Sequence, residues 1–182
     1  MKFMFASDIH GSKKECEKLF TLFQEEKADR LILLGDYLYH GPRNGIPENY
    51  DPQAVVEMLN RHKTQLFCVR GNCDSEVDQM LLQVPMMADY LILPLENNHI
   101  AFVTHGHLYN TTTPPPLTSG DLLIHGHTHI PIIEHQEHYT YLNPGSVTFP
   151  KSESGSSYMI YESGKFIIKT FDRQEITSYN IP

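Results

Sequence analysis

The sequence predicts an α/β domain built on two β-sheets. Three observations carry that expectation. Short apolar runs alternate with polar, Gly-rich turns; residues 2–70 read strand, helix, strand, helix, strand; and the second half is poorer in helix.

The elements follow in order. Residues 2–7 (KFMFAS) and 30–34 (RLILL) read as buried strands. Between them, residues 12–27 carry Leu19, Phe20, Leu22 and Phe23 on a polar background, as a surface helix does. That order implies a parallel strand pair joined by a right-handed crossover. A second helix covers 52–62, with Pro52 in its first turn and Val55, Val56 and Leu59 as its stripe. Residues 65–70 form a third strand. Later strands fall at 90–95, 99–104, 121–125, 131–135, 138–142, 157–162 and 165–171, with hairpin turns at Asn97-Asn98 and Gly164-Lys165. Residues 40–52 and 110–120 are long irregular loops. No repeat or linker divides the chain, so residues 1–182 are expected to form a single domain.

Composition narrows the function. With 14 Lys+Arg against 22 Asp+Glu, the formal net charge is −8, which disfavours nucleic acid and anionic membranes as partners. Cys16, Cys68 and Cys73 lack C-x-x-C spacing, so neither a disulfide framework nor a thiolate zinc site is indicated. The N-terminal apolar run meets Asp8 too soon for a secretory segment, and no run reaches the ~18 residues of a membrane span. A cytoplasmic protein is expected. The anomaly is histidine: eight of eleven fall between His99 and His138.

Five motifs each begin where an apolar strand ends: Asp8-Ile9-His10, Gly35-Asp36, Gly71-Asn72-Cys73-Asp74, His105-Gly106-His107 and Gly126-His127-Thr128-His129. Ligands of open α/β sheets bind beyond the carboxyl ends of strands, so these loops are expected to converge. Asp8 and His10 lie two apart, as do His127 and His129; in extended backbone that spacing sends both side chains to one side. Imidazoles, carboxylates and an amide oxygen form a mixed N/O set suited to Mn, Zn, Fe, Co or Ni. Seven such groups exceed one four-coordinate ion and suit two ions sharing a carboxylate.

D-x-H, G-D, G-N-x-D/E, H-G and G-H-T-H, in this order, resemble the calcineurin-like metallophosphoesterases over nearly the whole chain. HGPRN (40–44), VRGNCDSEVDQMLL (69–82) and NPGSV (143–147) extend the likeness to small bacterial phosphodiesterases of that family. The resemblance implies two packed mixed sheets flanked by helices in a four-layer sandwich, without a cap domain. It implies that Asp8, His10 and His129 hold one divalent ion, that Asn72, His105 and His127 hold a second, and that Asp36 bridges them, with Mn the first choice. The implied reaction is hydrolysis of a small phosphodiester by a metal-bridging hydroxide. Charge supports a diester. Two divalent ions less Asp8, Asp36 and hydroxide leave about +1, which a diester monoanion balances and a monoester dianion does not.

One position departs from the family pattern. Where many members have G-N-H-D/E, with the histidine protonating the leaving group and the carboxylate orienting it, this chain has Cys73 and Asp74. A thiol is a poor substitute for imidazole at neutral pH, which favours good leaving groups or makes His107 the donor. Arg43 is a candidate to grasp a phosphate, or else an exposed arginine. Arg70 is expected to pair with a carboxylate, and Lys151 to be solvated. His62, His99, His125, His135 and His138 are read as ordinary surface or strand residues, and residues 143–146 as a turn beneath the metal loops. Met80–Met87 and the 40–52 loop either bury against the core or form a homo-oligomer interface. The competing functions are a phosphomonoesterase and a non-catalytic scaffold, the role this fold has in a retromer subunit.

Overall fold

Alternation along the first strand decides how the layers stack. In β1 (Phe3–Ala6), Met4 and Ala6 point to one face and Phe5 to the other. β2 (Arg30–Leu33) repeats the rule, with Leu31 and Leu33 beside Met4 and Ile32 beside Phe5. The first face receives α1 (Lys13–Glu25) and α2 (Pro52–Arg61) through Leu19, Phe20, Phe23, Val55 and Leu59. Full burial of each such side chain contributes about 1.5–3 kcal/mol.

A computed structural model describes residues 1–181 and folds them into two mixed sheets. The further elements are β3 (Leu66–Cys68), α3 (Glu76–Leu81), β4 (Tyr90–Pro94), β5 (Ile100–Thr104), β6 (Asp121–His125), β7 (Pro131–His135), β8 (Tyr139–Pro144), β9 (Ser157–Glu162), β10 (Lys165–Thr170) and β11 (Glu175–Asn180). One sheet has six strands in the order β11-β10-β9-β1-β2-β3, and the other five in the order β4-β5-β6-β8-β7. β1, β2 and β3 run parallel, as do β5, β6 and β8. The sheets pack face to face through Phe5, Ile32 and Phe166 against Val103, Ile124 and Leu142. Among the described residues the α-helices all lie within residues 13–81. The outer face of the five-stranded sheet is instead covered by loop residues Tyr109 and Leu117, packed on Phe102, Leu123 and Tyr141.

Differences from the sequence reading have local causes. α3 was not expected because it buries no side chain and shows no apolar stripe; its signal is the capping box of Ser75 with Asp78. β11 is a half-exposed edge strand whose polar residues, Thr177 and Ser178 adjacent among them, break the alternation. The Asn97-Asn98 turn stands as expected, both residues at positive φ (57° and 62°). The second hairpin turns one residue earlier, at Ser163-Gly164. Met80–Met87 divides. Leu82, Val84 and Met86 enter the helix-side core, whereas Met80 is 84% exposed.

Glu26, at the end of α1, ties that helix to the sheet. Its carboxylate accepts from Lys2 at 3.1 Å, Tyr158 at 2.8 Å and Lys169 at 2.7 Å. Burial pushes the carboxyl upward, but Lys169, Tyr158 and Lys2 outweigh it and hold it below its ordinary value. A lowered folded-state value stabilises the fold while the carboxyl is ionised, and that contribution fades as pH falls through the folded value. Glu26→Gln is therefore expected to reduce unfolding free energy by about 1 kcal/mol at neutral pH. Urea titrations should show the gap from the unsubstituted chain closing as pH falls from 7 towards about 3.

Candidate metal centre

The five loops meet through backbone before any side chain is counted. Asp8 N–H donates to Gly35 O (3.1 Å), His10 N–H to Asp36 O (2.9 Å) and Gly11 N–H to Tyr37 O (2.9 Å), which laces the first loop to the second. Asp8 Oδ2 accepts the His127 amide at 3.2 Å, and Val147 and Thr148 donate to the Ser7 and Asp8 carbonyls. Gly71 is required where the second and third loops touch, since a Cβ there would lie 2.1 Å from Asp36 Oδ1.

Backbone conformation corrects the reason for convergence. Asp8, His10, Asp36, His127 and His129 all adopt positive φ, between 49° and 65°, so these segments are not extended. Such strain is stored where surrounding structure imposes it. The two pairs also behave differently. Asp8 and His10 face one point, 3.6 Å apart, whereas His127 and His129 diverge to separate neighbours.

Two nests of donor atoms result. In one, Asp8 Oδ1 stands 3.6 Å from His10 Nε2 and 3.1 Å from His129 Nε2, and Asp36 Oδ2 is 3.7 Å from His10 Nε2. In the other, His105 Nε2 lies 3.1 Å from Asn72 Oδ1, 3.1 Å from His127 Nδ1 and 3.5 Å from Asp36 Oδ2. Bonds of about 2.0–2.2 Å to a cation place adjacent ligand atoms roughly 3–3.5 Å apart, so both nests have the size of a coordination shell. Asp36 serves both. Its Oδ1 accepts the Cys73 amide at 2.8 Å, leaving Oδ2 between the nests.

Tautomers sharpen the fit. His10, His105 and His129 each place Nδ1 2.7–2.8 Å from a backbone carbonyl, of Tyr39, Leu34 and Phe149. A carbonyl only accepts, so Nδ1 carries a proton and each ring turns its Nε2 into a nest, where it can serve as a lone-pair donor. Asp8 Oδ1 and His10 Nε2 are buried with no hydrogen-bond partner. Acceptor facing acceptor requires a proton or a metal ion between them. Without metal, protons fill that role: against burial, the Asp8 carboxylate lifts His10 above its ordinary value. Asp8 itself, which burial would raise, is held well below the usual range by His10 and His129. His127 is pushed down to about 4 by burial and by His105, which keeps it a neutral lone-pair donor.

The remaining candidates separate. Cys73, half-buried, lines the cleft over the nests, and its thiol is pushed up by burial and by the Asp36 carboxylate. Asp74 does not face the cleft. Its carboxylate accepts the amides of Asp36 (2.8 Å), Tyr37 (2.9 Å) and Gly71 (2.7 Å), so it positions the loop that carries Asp36 instead of meeting substrate. Burial and the Asp36 charge raise it to about 6, against the pull of those amides. His107 sits behind His105, with ring centroids 5.4 Å apart, and does not line the cleft. Arg70 pairs with Asp89 at 2.6 Å, as expected. Residues 143–146 brace the last loop, with Asn143 Nδ2 donating to Gly126 O and Thr128 Oγ1 at 2.9 Å.

The cleft encloses about 470 Å³, and Arg43 and Asn44 reach it from the 40–52 loop. Lys151 reaches it too; it is exposed, as expected, but stands on the cleft rim. Its amide donates to His129 O at 3.0 Å, a tertiary contact that local sequence does not announce. Thr128 and Ile130 line the same wall.

Mixed N/O donors presented by five loops at the strand ends of two packed sheets define a metallophosphoesterase. The chain belongs to the calcineurin-like phosphoesterase superfamily, whose family model matches residues 1–165. It is 44% identical to phosphodiesterase YfcE of Escherichia coli strain K12 over 176 residues, covering 97% of this chain and 95% of that protein. The solved structure of the E. coli phosphoesterase YfcE superposes with a TM-score of 0.96 and full coverage of both chains. Wild-type Vps29 of Entamoeba histolytica, solved with zinc, shares the fold at a TM-score of 0.59 and 17% identity, with full coverage of both chains.

Manganese is expected to raise the melting temperature of the unsubstituted chain, since metal at about 100 times its Kd adds about 2.7 kcal/mol. Gly71→Ala displaces Asp36 and should abolish most of that rise, as read by scanning calorimetry with and without metal.

Proposed function

We propose that the chain is a divalent-metal-dependent phosphodiesterase acting on small phosphodiesters. The observation that carries this reading is the pair of donor nests sharing Asp36 Oδ2. Asp8, His10 and His129 with Asp36 would hold one ion, and Asn72, His105 and His127 with Asp36 the other. Manganese is the first choice, and the donor set also suits Zn, Fe, Co or Ni. Two such ions, when bound, supply positive charge to phosphoryl oxygens and bring water towards ionisation near neutral pH.

The chain's own groups do the rest. Carbonyls of Tyr39, Leu34 and Phe149 fix three imidazoles by their Nδ1–H groups, so the donors need no reorganisation when metal arrives. Asp74 holds the Asp36 loop through three amides. Arg43, on the cleft rim, offers a planar fork of N–H donors that suits a phosphate group. Cys73 stands over the nests where an acid would meet the leaving group, and its raised thiol stays protonated and donates weakly. His107 does not line the cleft, which favours Cys73 over it as the group facing the leaving group.

The name of the E. coli relative supports a diester substrate, as does the charge balance. The scaffold reading draws support from the likeness in fold to Vps29. That structure holds zinc, so metal binding alone does not separate the two readings, whereas turnover does.

Stripping the protein with chelator and restoring single metals should return hydrolysis of bis(4-nitrophenyl) phosphate, with Mn among the most effective. Its kcat/KM should exceed that for 4-nitrophenyl phosphate. Silence with every metal overturns the proposal in favour of a scaffold, and preference for the monoester makes the protein a phosphomonoesterase. Placing an imidazole over the nests by Cys73→His should raise kcat/KM for diesters with poor alkoxide leaving groups by roughly 10²-fold or more. An unchanged slope of rate against leaving-group pKa counts against a proton-donor position there.

A further inference from the structure

The cleft rim carries more positive charge than a simple diester needs. In a chain of net charge −8, the cleft lining contains two cations, Arg43 and Lys151, and one carboxylate, Asp36. Asp36 is already committed, its side chain 3% exposed with its oxygens turned to the Cys73 amide and the two nests. Lys2, Arg70, Lys169 and Arg173 each pair with an Asp or Glu. Among the described residues, Arg43 and Lys151 form no such ion pair, a trait shared with other surface lysines and arginines; what sets these two exposed cations apart is that they line the cleft.

Both are held in place by backbone. Arg43 follows Gly41, which turns at a φ of 82° with a Cβ position only 3.1 Å from Cys73 Sγ, so its loop rests on the roof of the nests. Asn44 Nδ2 closes that loop onto His40 O at 2.8 Å. Lys151 comes from a separate segment and is bonded through its amide to the carbonyl of His129. The two cations therefore project from opposite ends of the sequence onto one opening.

We propose that the cleft selects phosphodiesters carrying a second phosphate on the alcohol that is retained, with Arg43 and Lys151 receiving that phosphate. This rests on the phosphodiesterase reading above. The metal-loaded centre balances the single charge of the scissile diester, so the rim cations remain unneutralised by an otherwise uncharged ester. Two cations match a phosphate monoester dianion, whereas a carboxylate would neutralise one of them. The arginine fork supplies directional hydrogen bonds to phosphate oxygens and the lysine a point charge.

Two esters with the same leaving group test this: thymidine 5′-(4-nitrophenyl phosphate) and its 3′-phosphorylated counterpart, with the manganese-loaded full chain. The 3′-phosphorylated ester should be preferred in kcat/KM by roughly tenfold at low salt. That preference should fall towards unity in the Arg43→Gln/Lys151→Gln double variant, and in about 0.5 M salt, which screens exposed charges. Equal kcat/KM for both esters, or a preference untouched by the double substitution, overturns the inference while leaving the diesterase reading intact. Calorimetric binding of thymidine 3′,5′-bisphosphate against the 5′-monophosphate gives a readout independent of turnover. If neither ester is cleaved, the diesterase reading fails; tighter bisphosphate binding lost in the double variant still upholds the rim as a phosphate site, and equal binding overturns it.

Discussion

Repulsion between lone pairs is the constraint on which the rest of the structure depends. Asp8, Asp36, Asn72 and four imidazoles bring acceptor atoms within 3.1–3.7 Å of one another, and Asp8, His10, Asp36, His105 and His129 are buried. Such an arrangement needs a proton or a cation between its acceptors. It persists because the backbone leaves it no alternative. Strand-end loops are laced amide to carbonyl, five of the residues involved occupy positive φ, and glycines bring chain segments closer than any Cβ allows. The two packed sheets supply the rigidity that this strain requires, and their hydrophobic interior offsets its cost.

Much of this was legible in the sequence. Period-two strands with apolar residues on both faces, as in Phe3–Ala6 and Arg30–Leu33, announce a sheet covered on both sides. The donor residues were legible because each follows such a strand. What stayed hidden depends on surfaces that carry no periodicity. α3 lacks a buried stripe, β11 is a half-exposed edge strand, and the five-stranded sheet is covered by a Pro-rich loop whose Tyr109 and Leu117 look like ordinary loop residues. The divergence of His127 from His129 was hidden as well, because residues two apart share a side only in extended backbone, and these two are left-handed.

Roles beyond the donors were harder to read than the donors themselves. Asp74, adjacent to the position associated with proton donation, turns inward and holds three amides. A carboxylate in a motif and a carboxylate in a cleft are different observations, and coordinates separate them. Lys151 shows the reverse case. Nothing local marks it, yet a single bond to the carbonyl of His129 brings it to the opening.

The central position of β1 has a consequence for how the molecule is made. β1 pairs on one side with β2 and on the other with β9, where Phe3 lies opposite Tyr161. The loop that follows it is closed by amides of Val147 and Thr148, and His129 is oriented by the carbonyl of Phe149. A chain emerging from the ribosome therefore holds its first strand and the donors Asp8, His10 and Asp36 long before the segments that complete the site exist. Contacts of such sequence separation make folding slow, and they delay completion of this sheet until β9 has been made. Until then one edge of β1 stays unpaired, and an open strand edge is a template for association with other chains.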